Sequence, residues 1–233
     1  MQKNKLSFRE KTKKLTGKSL FIVTVIIVGL LLLIFAGQLG TLLFYMVVLI
    51  TLWATRWDWK YFGMTRPNWP NTILKAVFFT ISIFILSDFL IQPLVEFHFG
   101  KIDLSEVSGL EGNFVNYVIF ILLGWVLGGF EEIIFRGYLL KRLAIIFGDT
   151  NKAWLFSAVI ISIVFGFAHS YQGLSGIIIT ATIALLLGLI FIFNKNNLMV
   201  LVLTHGFYNM IAITFIYLGK ASMITDWVHE FYK

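Results

Sequence analysis

The sequence predicts an all-α protein, a polytopic integral membrane helical bundle of about seven transmembrane helices. Three observations carry that expectation. Of the 233 residues 58% are apolar and only 13% charged, far from the composition of a soluble domain. Charge-free stretches run over 19–55, 112–130, 153–194 and 196–219, where one helical span needs about 20 residues. These runs are continuous rather than alternating with period two, which argues against an outer-membrane barrel.

The elements follow in order. The first run accommodates two spans, near 20–36 and 41–55, divided by the turn-forming cluster Gly37-Gln38-Leu39-Gly40. A third span falls near 73–94 and a fourth near 114–141. The run from 153 again holds two, 153–169 and 174–193, separated by Ser170-Tyr171-Gln172-Gly173, and the last is 198–218. The chain thus divides into a basic cytoplasmic tail (1–18), N-terminal transmembrane helices (19–112), a transmembrane core rich in polar residues (113–219) and a short C-terminal tail (220–233). No internal repeat or low-complexity segment stands out.

Orientation follows from the basic residues, because loops rich in Lys and Arg stay in the cytoplasm. The tail holds Lys3, Lys5, Arg9, Lys11, Lys13, Lys14 and Lys18. With it inside, Arg56, Lys60, Arg66, Lys75, Arg136, Lys141, Arg142, Lys152 and Lys195 also reach the inner side, making 16 of the 19 basic residues. Lys101, Lys220 and Lys233 are left outside. The cell membrane of a bacterium, with the N-terminus cytoplasmic, is the expected location. The first run is too long, and too closely followed by a second span, for a cleaved signal peptide. Trp53, Trp57, Trp59, Tyr61 and Trp69 cluster at the cytoplasmic border as an aromatic belt. The net charge of +7 is explained by topology and meets anionic lipid headgroups, so nucleic acid is not an expected partner. With no cysteine, disulfides, thiol catalysis and Cys-ligated zinc are excluded.

Against this apolar background a few polar residues stand out: Glu131, Glu132 and Arg136, then His169, then His205 and Asn209. An ionisable group inside a span costs several kcal/mol unless paired or used. Helical rise places Glu131 roughly 15 Å from the cytoplasmic edge, His169 near 20 Å, and His205 and Asn209 roughly 10 and 17 Å deep, so all four can meet within the bilayer. Glu132 and Arg136, at i and i+4 with the acid first, read as a structural ion pair that leaves Glu131 free to act. His205 and Asn209 share a face one turn apart, and Phe165 precedes His169 by one turn and can wall its imidazole. A carboxylate and a histidine together can deprotonate water for attack on a carbonyl, while His205 and Asn209 can donate to the oxyanion. Each residue alone has a bland reading as helix glue or packing; the ordered combination outweighs it. Asp88, near the outer end of the third span, reads as structural, a cap or a bond to another helix, and His98 and His229 as surface residues. Gly124, Gly128 and Gly129 read as small residues that let helices approach.

Three segments, Glu131-Glu132-Ile133-Ile134-Phe135-Arg136, Phe165-Gly166-Phe167-Ala168-His169 and His205-Gly206-Phe207-Tyr208-Asn209, resemble the EExxxR, FxxxH and HxxxN motifs of one family. This is the CPBP or Abi group of intramembrane endopeptidases, related to the type II CAAX prenyl proteases. The resemblance covers roughly 114–218. It implies that Glu131 and His169 activate the attacking water, that His205 and Asn209 line the oxyanion site, and that the cavity opens to the cytoplasm. It implies a membrane-associated peptide or protein as substrate and no cofactor. Glu131, His169 and His205 would be the ligands if zinc were present, but the glutamate-dependent mechanism without a metal is preferred. Two other classes remain open: a non-catalytic membrane adaptor of the same fold, regulating a sensor kinase or conferring bacteriocin self-immunity, and a transporter. Missing inverted repeats and broken-helix signals argue against the transporter. The sequence does not give the oligomeric state.

Overall fold

A computed structural model describes residues 6–194 and 197–231. Lys3, Lys5, Lys195 and Lys233, which contribute to the charge asymmetry, lie outside the described residues. The described residues are mostly helical: α1 (Phe8–Thr16), α2 (Ser19–Ala36), α3 (Leu39–Ala54), α4 (Trp69–Leu86), α5 (Gln92–Phe99), α6 (Phe114–Glu132), α7 (Lys141–Ile146), α8 (Asn151–Ala168), α9 (Gly173–Phe193), α10 (Leu198–Tyr217) and α11 (Met223–Phe231). Among the described residues six stretches are long and apolar enough to cross a membrane, and α3 is a shorter apolar helix beside them. The protein is a multi-pass membrane protein.

The helix ends follow local chemistry. The two turn clusters sit where chain reversal was expected. Gly37, at φ 57°, ends α2, and Gly173, at φ 76°, opens α9 after a short 3₁₀ turn over Ser170–Gln172. Asn68, Asn113 and Thr150 cap α4, α6 and α8 by accepting from backbone N–H groups in the first turn. Small residues bring the hairpins together, as expected where lipid offers no hydrophobic drive between helices. A Cβ on Gly40 would stand 2.6 Å from the Gly29 carbonyl oxygen, and one on Gly166 2.6 Å from that of Ile177.

Two spans are longer than the sequence pattern indicates. Both are interrupted by a wider π-helical turn, Ser87–Ile91 between α4 and α5 and Ile133–Leu140 between α6 and α7, so the continuous helices run over Trp69–Phe99 and Phe114–Ile146. Such turns carry an extra residue and change the phase of everything beyond them.

The basic tail is also more ordered than its composition suggests. Ser7 and Glu10 form a capping box that starts α1, and Arg9 donates to the Trp53 carbonyl at 2.8 Å with its guanidinium 5.0 Å over the indole. At the far end of α1 the Thr16 carbonyl accepts from the buried Tyr138 hydroxyl at 2.7 Å. On the opposite side α11 is tied down by Lys101 on Asp226 (3.0 Å) and by His229 Nε2 against the Pro93 carbonyl (2.9 Å). His229 is therefore half-buried and engaged rather than a plain surface residue, whereas His98 is exposed.

Candidate active site

The candidate side chains come from α6 and its π-helical turn, the end of α8 and the middle of α10. Glu131 and Glu132 are the last residues of α6, and their neighbours on α10 are drawn in close by glycines. An added Cβ on Gly128 would stand 3.1 Å from Asn209 Nδ2 and 3.3 Å from His205 Cδ2, and one on Gly206 would strike the Trp125 ring. Packing of α6 against α10 therefore sets the site.

Adjacent glutamates face different surroundings. The Glu132 side chain is wholly buried, whereas that of Glu131 keeps 20% of its surface exposed. Glu132 Oε1 accepts from Arg136 Nη1 at 2.7 Å, the i,i+4 ion pair expected from spacing. Arg136 is buried with it and donates through Nη2 to the Ala184 carbonyl at 2.8 Å, with its guanidinium 5.1 Å from the Phe165 ring centroid. A buried cation is held only by such saturation.

Glu132 has a second task that spacing does not reveal. The same oxygen lies 2.8 Å from His205 Nδ1, while His205 Nε2 faces Glu131 Oε2 at 3.6 Å. Each ring nitrogen of His205 thus meets its own carboxylate. In the neutral ring, with its hydrogen on Nδ1, Nε2 is an acceptor; in the protonated ring it donates. Glu132 thus orients His205 while supporting Arg136.

His169 closes α8 and approaches from the other side. Its Nδ1 lies 3.0 Å from the Phe165 carbonyl, so the hydrogen belongs on Nδ1 and the Nε2 lone pair is left free. Among the described residues it bonds to neither glutamate. What it shares with His205 is Phe165, whose ring centroid stands 4.6 Å from the His169 ring and 6.3 Å from that of His205. Phe165 therefore spaces both imidazoles and packs against Phe135 and Arg136. Asn209 donates through Nδ2 to the Gly124 carbonyl at 3.2 Å, which uses one of its two amide hydrogens.

Residues 113–211, which include every one of these side chains, match the family model for the Type II CAAX prenyl endopeptidase Rce1-like proteins. That segment is similar to an Rce1-like domain. The match agrees with the motif resemblance to the CPBP and CAAX protease family, and at family level it supports a peptidase in the membrane. No curated protein and no solved structure matches the chain.

The Rce1-like segment opens at Asn113, the residue that caps α6, and ends within α10 two residues beyond Asn209. Among the described residues no three His, Asp or Glu side chains are gathered in a way that could hold a metal ion. Glu131, His169 and His205 are therefore not assembled as a ligand trio, and no step below is routed through a metal. The Glu132 to His205 bond, the placing of Phe165 between two imidazoles and the approach of Gly128 escape a reading of the sequence because each is a contact between helices. A hint of the last was present in the Gly124-x-x-x-Gly128-Gly129 run.

Proposed function

We propose that the protein is an intramembrane endopeptidase that hydrolyses a peptide bond in a membrane-associated peptide or protein. The observation that carries this reading is the unequal pair of glutamates. Glu132 is buried and spent on Arg136 and His205, while Glu131 is partly exposed and faces His205 Nε2.

In this reading Glu131 takes a proton from water, assisted by the free Nε2 of His169, and the water oxygen attacks the scissile carbonyl carbon. The carbonyl oxygen becomes an oxyanion. Protonated His205 donates to it from Nε2, held in register by Glu132, and Asn209 offers the amide hydrogen not used on Gly124. The proton taken from water passes to the departing amine nitrogen as the C–N bond breaks. The immediate products are a carboxylic acid and an amine, which become a carboxylate and an ammonium once the acid's proton passes to the amine, and the site returns to its starting protonation. The basic residues of the inner loops support an opening toward the cytoplasm, and in this reading the membrane is that of a bacterial cell.

The test is a comparison of membrane peptidomes from cells lacking the protein and complemented with the wild type or with Glu131→Ala at equal level. New termini that require Glu131 are expected. Identical termini, with full rescue of the deletion phenotype by Glu131→Ala, would replace the protease with a membrane adaptor of the same fold.

A further inference from the structure

The proposed hydrolysis leaves the intramembrane carboxylate of Asp88 without a task. Asp88 sits in the π-helical turn Ser87–Ile91, inside the long Trp69–Phe99 span, where an acid is costly unless it is used. Its partner lies on the helix that carries His205 and Asn209. The Tyr208 hydroxyl donates to Asp88 Oδ2 at 3.0 Å and lies 3.2 Å from Ser87 Oγ, so it has both a hydrogen-bond acceptor and a donor in the same turn.

α10 presents two neighbouring stripes. Thr204 and Tyr208 are four residues apart and share one face; His205 and Asn209 share the next, about 100° round the helix. The second stripe is bound to α6, through Glu132 and the Gly124 carbonyl. The first is bound to the span containing α4, through Thr80 Oγ1 donating to the Thr204 carbonyl at 3.3 Å and through Tyr208 on Asp88 and Ser87. A helix in lipid has little hydrophobic force to fix its rotation, so interhelical polar bonds set it.

Both consecutive residues of the π-helical turn, Ser87 and Asp88, reach the one Tyr208 hydroxyl.

We propose that Asp88 is a positioning residue for the hydrolytic site. By holding Tyr208 it fixes the rotation of α10, and with it the placement of the His205 and Asn209 donors. This rests on the endopeptidase reading for its kinetic consequence but not for its structural one.

The experiment uses the full-length protein in phospholipid nanodiscs, as wild type, Asp88→Asn, Asp88→Ala and Tyr208→Phe, with lipid-facing Leu90→Ala as control. Two readouts are taken: cleavage of a quenched fluorogenic peptide ending in a prenylated cysteine motif, and amide hydrogen exchange across 203–210. Asp88→Ala and Tyr208→Phe are expected to lower kcat about tenfold with KM within about twofold, since the lost bond acts on donor placement. Asp88→Asn, which keeps an acceptor oxygen, is expected to stay within about threefold of wild type. Exchange across 203–210 is expected to quicken severalfold in the first two variants only. Unchanged exchange and unchanged kcat in Tyr208→Phe, which removes a single oxygen, would overturn the proposal even if Asp88→Ala fails to fold. If the wild type does not cut the probe, the protease reading loses its support here while exchange alone decides the clamp: faster exchange in Tyr208→Phe upholds it, unchanged exchange overturns it.

Discussion

Glu132 and His205, 73 positions apart in the chain, meet through a hydrogen bond of 2.8 Å between Oε1 and Nδ1 at the contact of α6 and α10. The same oxygen also takes Arg136 at 2.7 Å, so one atom joins the ion pair of one helix to the imidazole of another. In the proposed reading, support and chemistry are divided between neighbouring residues. Glu132 holds the frame, and Glu131, one residue earlier and partly exposed, is left to meet water.

That division predicts opposite phenotypes for the two glutamates. Glu132→Ala strips a buried guanidinium of the carboxylate it bonds and is expected to cost about 3–5 kcal/mol, read as a large fall in the thermal midpoint of the purified protein in detergent. Glu131→Gln is expected to leave that midpoint near wild type while lowering turnover about 10²–10⁴-fold, as for loss of a general base. Equal destabilisation by both substitutions would show that the glutamates share one structural role.

A chelator experiment follows from the donor geometry. Because Glu131, His169 and His205 are not gathered as a ligand set, prolonged exposure to EDTA or 1,10-phenanthroline is expected to leave cleavage of the substrate unchanged. Loss of activity that returns on adding zinc alone would refute that expectation.

The absence of cysteine makes topology directly measurable. Single cysteines replacing Ser7 and Asn151 are expected to be shielded from an impermeant thiol reagent in intact cells, and one replacing Ser105 to be labelled. All three positions are exposed on the protein surface, so the labelling pattern reports sidedness rather than burial. The reverse pattern would invert the orientation drawn from the basic residues.

The fold was legible because lipid imposes a simple code. Apolar runs of fixed length gave the spans, and Gly37 to Gly40 and Ser170 to Gly173 gave the reversals between them. Relations within one helix were legible too, since Glu132 and Arg136 at i and i+4 must share a face. The π-helical turns were not, because Ser87–Ile91 and Ile133–Leu140 carry no residue pattern that local spacing reveals. For the same reason Tyr208 on Asp88, and Tyr138 on Thr16, could not be read from spacing: each bond spans more than a hundred positions. Helix α1 was hidden behind its charge, although Ser7 and Glu10 carry a capping-box signature.

Two adjacent glycines separate packing from chemistry. A Cβ on Gly129 would meet Val202 Cγ1 at 3.4 Å, an ordinary contact, whereas one on Gly128 would stand 3.1 Å from Asn209 Nδ2 and 3.3 Å from the His205 ring. Alanine at either position gains up to about 1 kcal/mol of helix propensity, so neither variant is expected to lose much stability. Only Gly128→Ala pushes both α10 side chains by a few tenths of an ångström. A displacement of about 1 Å can cost about a hundredfold in rate, so a threefold to tenfold fall is expected here, with an unchanged or raised thermal midpoint. Gly129→Ala is expected to keep the wild-type rate. Wild-type turnover in both variants would mean that His205 and Asn209 tolerate movement, and that their placement against α6 does not limit the reaction.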